Sequence, residues 1–267
     1  MMGILNSITW SLDPILFDLG PFQVRYYGLL FAAGFMISFY IVSYFYKRAG
    51  LAVEEVDKLT IYTIVGAVLG ARFGHVFFYE WGYYSSHPSE ILMVWHGGLA
   101  SHGGAIGILL AIYFYSRKYK RNYLWTMDRI VVPTALTGGL IRIGNLMNSE
   151  IYGTQTDLPW GVIFKNNGET LPMHPTQIYE ALSYFISFGI LWTIYQKDDG
   201  KSPRGKLFGI FLILIFGVRF FIEFIKYHQS TWLNQNSFLN MGQLLSIPLV
   251  IAGFYFWWSS SKKSVEP

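Results

Sequence analysis

Seven long apolar runs, each bounded by polar residues, dominate the chain: Phe22–Tyr46, Leu59–Tyr79, Leu99–Ser116, Ile130–Met147, Thr176–Tyr195, Leu207–Ile225 and Met241–Trp258. A helix needs about 20 apolar residues to cross a bilayer core, and each run is close to that length. The pattern predicts an all-α polytopic membrane protein, with residues 1–267 forming one integral domain of seven transmembrane helices. The longest polar interval, residues 148–175, is rich in Gly, Pro and Asn. It predicts a small subdomain, or a set of lids, between the fourth and fifth helices.

Charge placement adds a direction. Only 13% of residues are charged and 52% are hydrophobic, against about 25% charged in a soluble domain. Lys47, Arg48 and Lys58 follow the first run, Arg117, Lys118, Lys120, Arg121 and Arg129 the third, Lys197, Lys201, Arg204 and Lys206 the fifth, and Lys262 and Lys263 the seventh. All fall on one side, which predicts an outside N-terminus and a cytoplasmic C-terminus. The net charge of +4 is explained by these clusters and calls for no nucleic-acid partner. No basic residue precedes Arg25, and Asp13, Pro14 and Asp18 break the first apolar stretch, so no cleaved leader is expected. Cysteine is absent, so any thiol chemistry must come from a partner.

Arg72, Arg142 and Arg219 lie inside apolar runs, where a charge is costly and persists only with a partner or a wet cavity. Counting 1.5 Å per residue along the predicted directions puts all three in the outer halves of their helices, with Tyr27 and His102 at the same depth. Taken singly, each has an ordinary explanation: a structural ion pair, an interior histidine, an aromatic-belt tyrosine. Arg219 and Glu223 are spaced i and i+4 and can pair internally. That leaves Arg72 and Arg142 with Glu150 as the evident counter-charge. The excess of guanidinium predicts an anionic ligand, and in the outer leaflet a phospholipid headgroup is the simplest one.

Gly66, Gly70 and Gly74 surround Arg72, and Gly103 and Gly107 follow His102. Rows of this kind signal close helix packing. The paired glycines in Trp95–Gly104 also permit broken backbone lining a wet cavity, with His102 as a general base there. His174, Gln177 and Glu180 open the fifth helix from the outer side, suited either to capping or to substrate binding. Asn145, Asn148 and Gly153 are expected to shape the exit of the fourth, with Gly153 supplying a positive φ. There is no H-E-x-x-H arrangement, no G-x-S-x-G elbow and no P-loop, and neither a metal nor a cofactor is expected.

The string Arg142-Ile-Gly-Asn145-Leu-Met-Asn148-Ser-Glu150-Ile-Tyr-Gly153 resembles the signature of the bacterial prolipoprotein diacylglyceryl transferases. Arg25–Gly28, His102–Gly104, His174–Glu180, Arg219–Glu223 and Met241–Pro248 match that family in order and spacing. Ile141 and Leu146 depart from its usual glycine and phenylalanine, a difference of packing rather than chemistry. The resemblance implies a multi-pass protein of the bacterial inner membrane with its active site facing the outer leaflet. Such an enzyme moves the diacylglyceryl group of phosphatidylglycerol to the lipobox cysteine of a preprolipoprotein signal peptide. Its products are a thioether and glycerol phosphate, and its partners are membrane lipids and that peptide. It also implies Tyr27, His102, Arg142, Glu150, Arg219 and Glu223 as functional positions. On that basis Arg142 and Arg219 are expected to hold the phosphate, His102 to assist loss of the thiol proton, and Glu150 and Glu223 to orient the arginines. Arg72, Asn145, Asn148, Gly153, His174, Gln177 and Glu180 are expected to bind substrate. A phospholipid flippase or anion transporter using the same arginines is the rival reading, and a structural protein with internal ion pairs a third. The few polar groups near the inner leaflet weigh against transport.

Overall fold

The computed structural model describes residues 8–226 and 239–260. Lys262 and Lys263, used above for orientation, lie outside them. The chain is mostly helical, with helices where the apolar runs lie: α1 (Tyr26–Arg48), α2 (Glu54–Phe78), a short α3 (Trp81–Tyr84), α4 (Ser101–Lys118), α5 (Tyr123–Met147), α6 (Thr176–Lys197), α7 (Lys206–Ile222) and α8 (Met241–Ser260). Six of them are long and apolar enough to cross a membrane. The exception among the seven expected is α4, whose 18 residues begin with Ser101 and His102 and end with Arg117 and Lys118. Large apolar side chains such as Met36, Tyr40, Ile186 and Ile251 remain more than 60% exposed on the helix surfaces. A soluble bundle buries such faces; a polytopic membrane protein offers them to lipid.

The all-α expectation needs one correction. Residues that begin the first apolar run form a hairpin, β2 (Ile15–Leu19) against β3 (Phe22–Arg25), before α1 starts. Asp18 explains it: its Oδ1 accepts from Gly20 N at 3.0 Å, closing a turn that Pro21 follows. A second, parallel pair joins β1 (Ile8–Trp10) to β4 (Val162–Phe164).

Contacts gather the chain into two compact units, one of residues up to Ile41 and from Asp128 onward, the other of Val42–Met127. In the first, α1 and α5 are joined by Thr137, whose hydroxyl donates to Gly34 O at 3.0 Å and meets Ser38 Oγ at 2.7 Å. Asp128 of α5 is fully buried and accepts from Gly205 N (2.6 Å) and Phe208 N (2.8 Å), so one helix caps the start of another, α7. Residues 148–175 form the segment between α5 and α6. Val162, Phe164 and Met173 cluster with Leu146 of α5 at its core, and Trp10, Tyr152 and Ile178 pack around them.

In the second unit α2 and α4 approach closely. A Cβ on Gly66 would lie 2.6 Å from Gly107 O, and one on Gly70 would run into Gly103 O. The glycine rows therefore serve helix packing rather than a cavity. At the other end of this pair Arg121 clasps Glu55 through Nε–Oε2 at 2.9 Å and Nη2–Oε1 at 2.6 Å, and the bond to Glu55 raises the guanidinium's pKa further.

Candidate functional site

The end of α5 gathers polar side chains. Arg142 Nε lies 2.9 Å from Glu180 Oε2 on α6, and its Nη1 donates to Asn145 Oδ1 at 3.1 Å. The Nε–Oε2 contact is an ion pair without hydrogen-bond alignment, since Oε2 has no hydrogen-bond partner among the described residues. Tyr184, one turn further along α6, adds its hydroxyl to the arginine's surroundings. Asn145 Nδ2 in turn donates to Glu150 Oε1 at 2.7 Å, and Asn148 Nδ2 reaches the same oxygen at 3.3 Å. Glu150 is therefore tied to Arg142 through Asn145 and not directly, a correction to its expected role as the arginine's counter-ion. Tyr27 packs its ring on Gly144, where a Cβ would come within 2.8 Å of it. It feels the charges of both Arg142 and Glu150.

From Glu180 the charges continue. Its Oε1 accepts from Lys226 Nζ at 2.7 Å; Lys226 lies 3.7 Å from Glu223 Oε1, and Glu223 lies 3.6 Å from Arg219 Nε, the internal pair expected from the i, i+4 spacing. Arg142, Glu180, Lys226, Glu223 and Arg219 thus form a chain of alternating sign across α5, α6 and the end of α7. Its middle is buried, with side-chain exposures of 1% for Glu180 and 4% for Lys226, while Arg142 (16%) and Arg219 (33%) open at its ends. Isolated charges would be expensive here, and alternation is what makes their burial tolerable. Counting Glu150, the three cations face three carboxylates, so the expected excess of guanidinium is not what the local network shows.

The segment between α5 and α6 holds this chain in place. Gly153 N donates to His174 O (2.8 Å), His174 N to Thr154 O (2.9 Å) and Thr154 N to Ile225 O (2.8 Å), a small ladder that ends beside Lys226. Gly153 acts here through its size. Its φ is not positive; the left-handed positions are Ser149 (φ 56°) and Ile151 (φ 60°). A Cβ at Gly153 would meet Ile225 O and lie 2.7 Å from Thr176 Cγ2. Gln177, fully buried, donates to Glu150 O at 2.7 Å, and Thr176 Oγ1 to Ile151 O at 2.9 Å, so the start of α6 braces the exit of α5. His174 Nδ1 lies 3.3 Å from Tyr179 Oη, which accepts from Trp160 Nε1 at 2.8 Å. Partial burial holds the imidazole below its usual pKa and favours the neutral ring.

Arg72 and His102 belong to the second unit. Arg72 is 1% exposed and is saturated by backbone: Nε to Ile91 O (2.8 Å), Nη1 to Gly97 O (2.7 Å), Nη2 to Glu90 O (2.6 Å), with the Tyr84 ring 4.8 Å from its guanidinium carbon. Its role is to staple the segment after α2, which corrects the expectation that it binds an anion. His102 sits exposed on the first turn of α4, just after the turn in which Gly97 (φ 83°) and Gly98 (φ 67°) take left-handed backbone.

Of the expected substrate binders in the first unit, Asn145, Asn148, Gln177 and Glu180 contact Arg142 or Glu150, while Gly153 and His174 lie in the backbone ladder beside Lys226. Glu180 and Gln177, with no exposed surface, are supports for the site rather than its face. Sequence reasoning missed Lys226, the centre of the charge chain. The available signal was its i+3 spacing from Glu223.

Residues 14–259 match the family described as prolipoprotein diacylglyceryl transferase. The phosphatidylglycerol–prolipoprotein diacylglyceryl transferase of Tolumonas auensis is 47% identical over 258 residues, covering 96% of this chain and 99% of the relative. That of Chloroherpeton thalassium is 45% identical, covering 98% of each. That of Bacteroides fragilis is 41% identical over the full length of both. With similarity running through every helix that carries the charge chain, this chain belongs to the prolipoprotein diacylglyceryl transferase family.

Proposed function

We propose that this protein transfers the diacylglyceryl group of phosphatidylglycerol to the lipobox cysteine of preprolipoproteins. The cysteine sulfur, as thiolate, attacks the glyceryl carbon that carries the phosphate ester. The carbon–oxygen bond breaks, glycerol phosphate leaves with the electron pair, and a thioether remains. The observation that carries this reading is the charge chain. Two arginines, spaced by a buried Glu180–Lys226–Glu223 bridge, open at its ends where they can grip a phosphate and stabilise its growing charge as it departs. Tyr27 and Glu150 border the same arginine. His102 takes the thiol proton, a role that rests on the sequence pattern and on imidazole's ability to accept a proton.

The same reading extends to topology. All seven long helices, α4 included, span the bacterial inner membrane, with the N-terminus outside, the C-terminus in the cytoplasm, and residues 148–175 on the outer face. The basic clusters after α1, α4 and α6 support it.

The test is mass spectrometry of a lipobox peptide incubated with purified protein and phosphatidylglycerol. A diacylglyceryl adduct on cysteine, with stoichiometric glycerol phosphate, is expected. Movement of intact phospholipid across vesicles without glycerol phosphate release would replace this reading with the flippase.

A further inference from the structure

The start of α8 is built around Glu223. Asn240 and Gln243 cap the helix reciprocally: Gln243 N donates to Asn240 Oδ1 at 2.8 Å and Asn240 N to Gln243 Oε1 at 2.9 Å. That pairing leaves Asn240 Nδ2 free to donate elsewhere, and it reaches Glu223 O at 2.9 Å and Glu223 Oε2 at 3.2 Å. Two residues on, Gly242 has no side chain at the spot that Glu223 occupies. A Cβ there would stand 2.5 Å from Glu223 Cδ and 2.6 and 2.8 Å from its two oxygens. The carboxylate therefore rests on the first turn of α8, at the end of the helix dipole that favours an anion. Its cation contacts, 3.6 Å to Arg219 and 3.7 Å to Lys226, are looser than these. The helix start, more than the cations, sets where the carboxylate stands.

We propose that Asn240 and Gly242 are positioning residues of the transfer reaction, holding Glu223 where it can orient Arg219 and Lys226 together. This rests on the reading of Arg219 and Glu223 as parts of the transfer site. The three atoms nearest a methyl group at position 242 are the carboxylate end of the flexible Glu223 side chain, so Gly242→Ala displaces the carboxylate with little change to the helix. Asp caps a helix as well as Asn does. Asn240→Asp therefore keeps the cap but exchanges the donor facing Glu223 for a second carboxylate.

The experiment measures glycerol phosphate release per folded enzyme, with phosphatidylglycerol and a lipobox peptide, for the parent and four variants: Gly242→Ala, Asn240→Asp, Glu223→Asp and Gly242→Ala/Glu223→Asp. Gly242→Ala and Asn240→Asp are each expected to lower kcat/KM by about tenfold or more, the scale on which small misplacements act. Shortening the acid is expected to restore the room that alanine takes, so the double variant is faster than Gly242→Ala alone. A parent-like rate for Asn240→Asp, or losses in the double variant that simply multiply, would overturn the proposal. Should Gly242→Ala fail to fold, Asn240→Asp decides alone. A parent that releases no glycerol phosphate brings down the transferase reading and this one with it. An active parent with unaffected variants removes only this one.

Discussion

Arg72 and Arg142 look alike in the sequence and differ in what holds them. Each interrupts an apolar helix and each is largely buried. Arg72 spends all three of its nitrogens on the backbone carbonyls of Ile91, Gly97 and Glu90 and holds its guanidinium carbon 4.8 Å from the Tyr84 ring. Arg142 meets side chains instead: the carboxylate of Glu180, the amide of Asn145 and the hydroxyl of Tyr184. Carbonyls satisfy a guanidinium without cancelling its charge and fold a loop around it. Carboxylates cancel the charge and link it to other ionisable groups. The identity of the partner, and not the presence of the charge, separates a staple from a site.

The sharpest way to break this comparison is to remove each arginine. Arg142→Ala is expected to lower the rate of diacylglyceryl transfer by about 10²–10³-fold, the usual loss when a group that stabilises developing charge is deleted. Glycerol phosphate release in detergent or reconstituted vesicles reads it directly, and a wild-type rate would end the assignment of Arg142 to the site. Next in size is the centre of the chain. Lys226→Met leaves Glu180 and Glu223 facing each other without the cation between them, and is expected to cost about 3–5 kcal/mol of stability, the range for breaking a buried pair. Activity should fall roughly 10²-fold as the two arginines lose their spacing. Lys226→Arg, which keeps the charge, should recover most of both. Smaller again is Arg72→Ala, expected to destabilise by roughly 3 kcal/mol through the loss of charged hydrogen bonds, while the rate per folded molecule stays near the parent's. Thermal unfolding followed alongside turnover separates the two quantities, and a rate loss without a stability loss would make Arg72 part of the chemistry.

How much of this was legible beforehand follows the same division. Helix positions were readable because apolar runs of membrane length admit almost one structure. The start of α1 was not, because Asp18 and Gly20 make a local turn that a hydropathy window averages away. Arg142, Asn145, Asn148 and Glu150 were found as a group because they sit within one helix exit. Glu180 was noticed, but as a substrate binder; that its carboxylate bridges Arg142 and Lys226 depends on how α6 faces the end of α7, which no local pattern encodes. Gly153 stands out in the sequence, but for its size and not for a positive φ. Its neighbours Ser149 and Ile151 take the left-handed turns, and what it provides is room for Ile225 O. The glycine rows of α2 and α4 were legible as packing from their spacing alone.

His174 offers the mildest way to probe the supported side of the comparison, because it touches the backbone ladder and not the charges. Its backbone joins Gly153 to Thr154, and its ring, beside Tyr179, is held below the ordinary value of 6.5 by partial burial. A lowered folded value means that the unfolded chain takes up the proton more readily than the native one. The contribution to stability is therefore complete above pH 6.5 and is lost as pH falls through the folded value. Unfolding temperature measured from pH 7.5 down to about 5 should decline more steeply in the parent than in His174→Gln, which has no titrating ring. Since the ladder bears on Ile225 next to Lys226, the same acid range should loosen the centre of the charge chain before it touches either arginine. A parent and a variant with parallel pH profiles would show that the imidazole is carried by the ladder without supporting it.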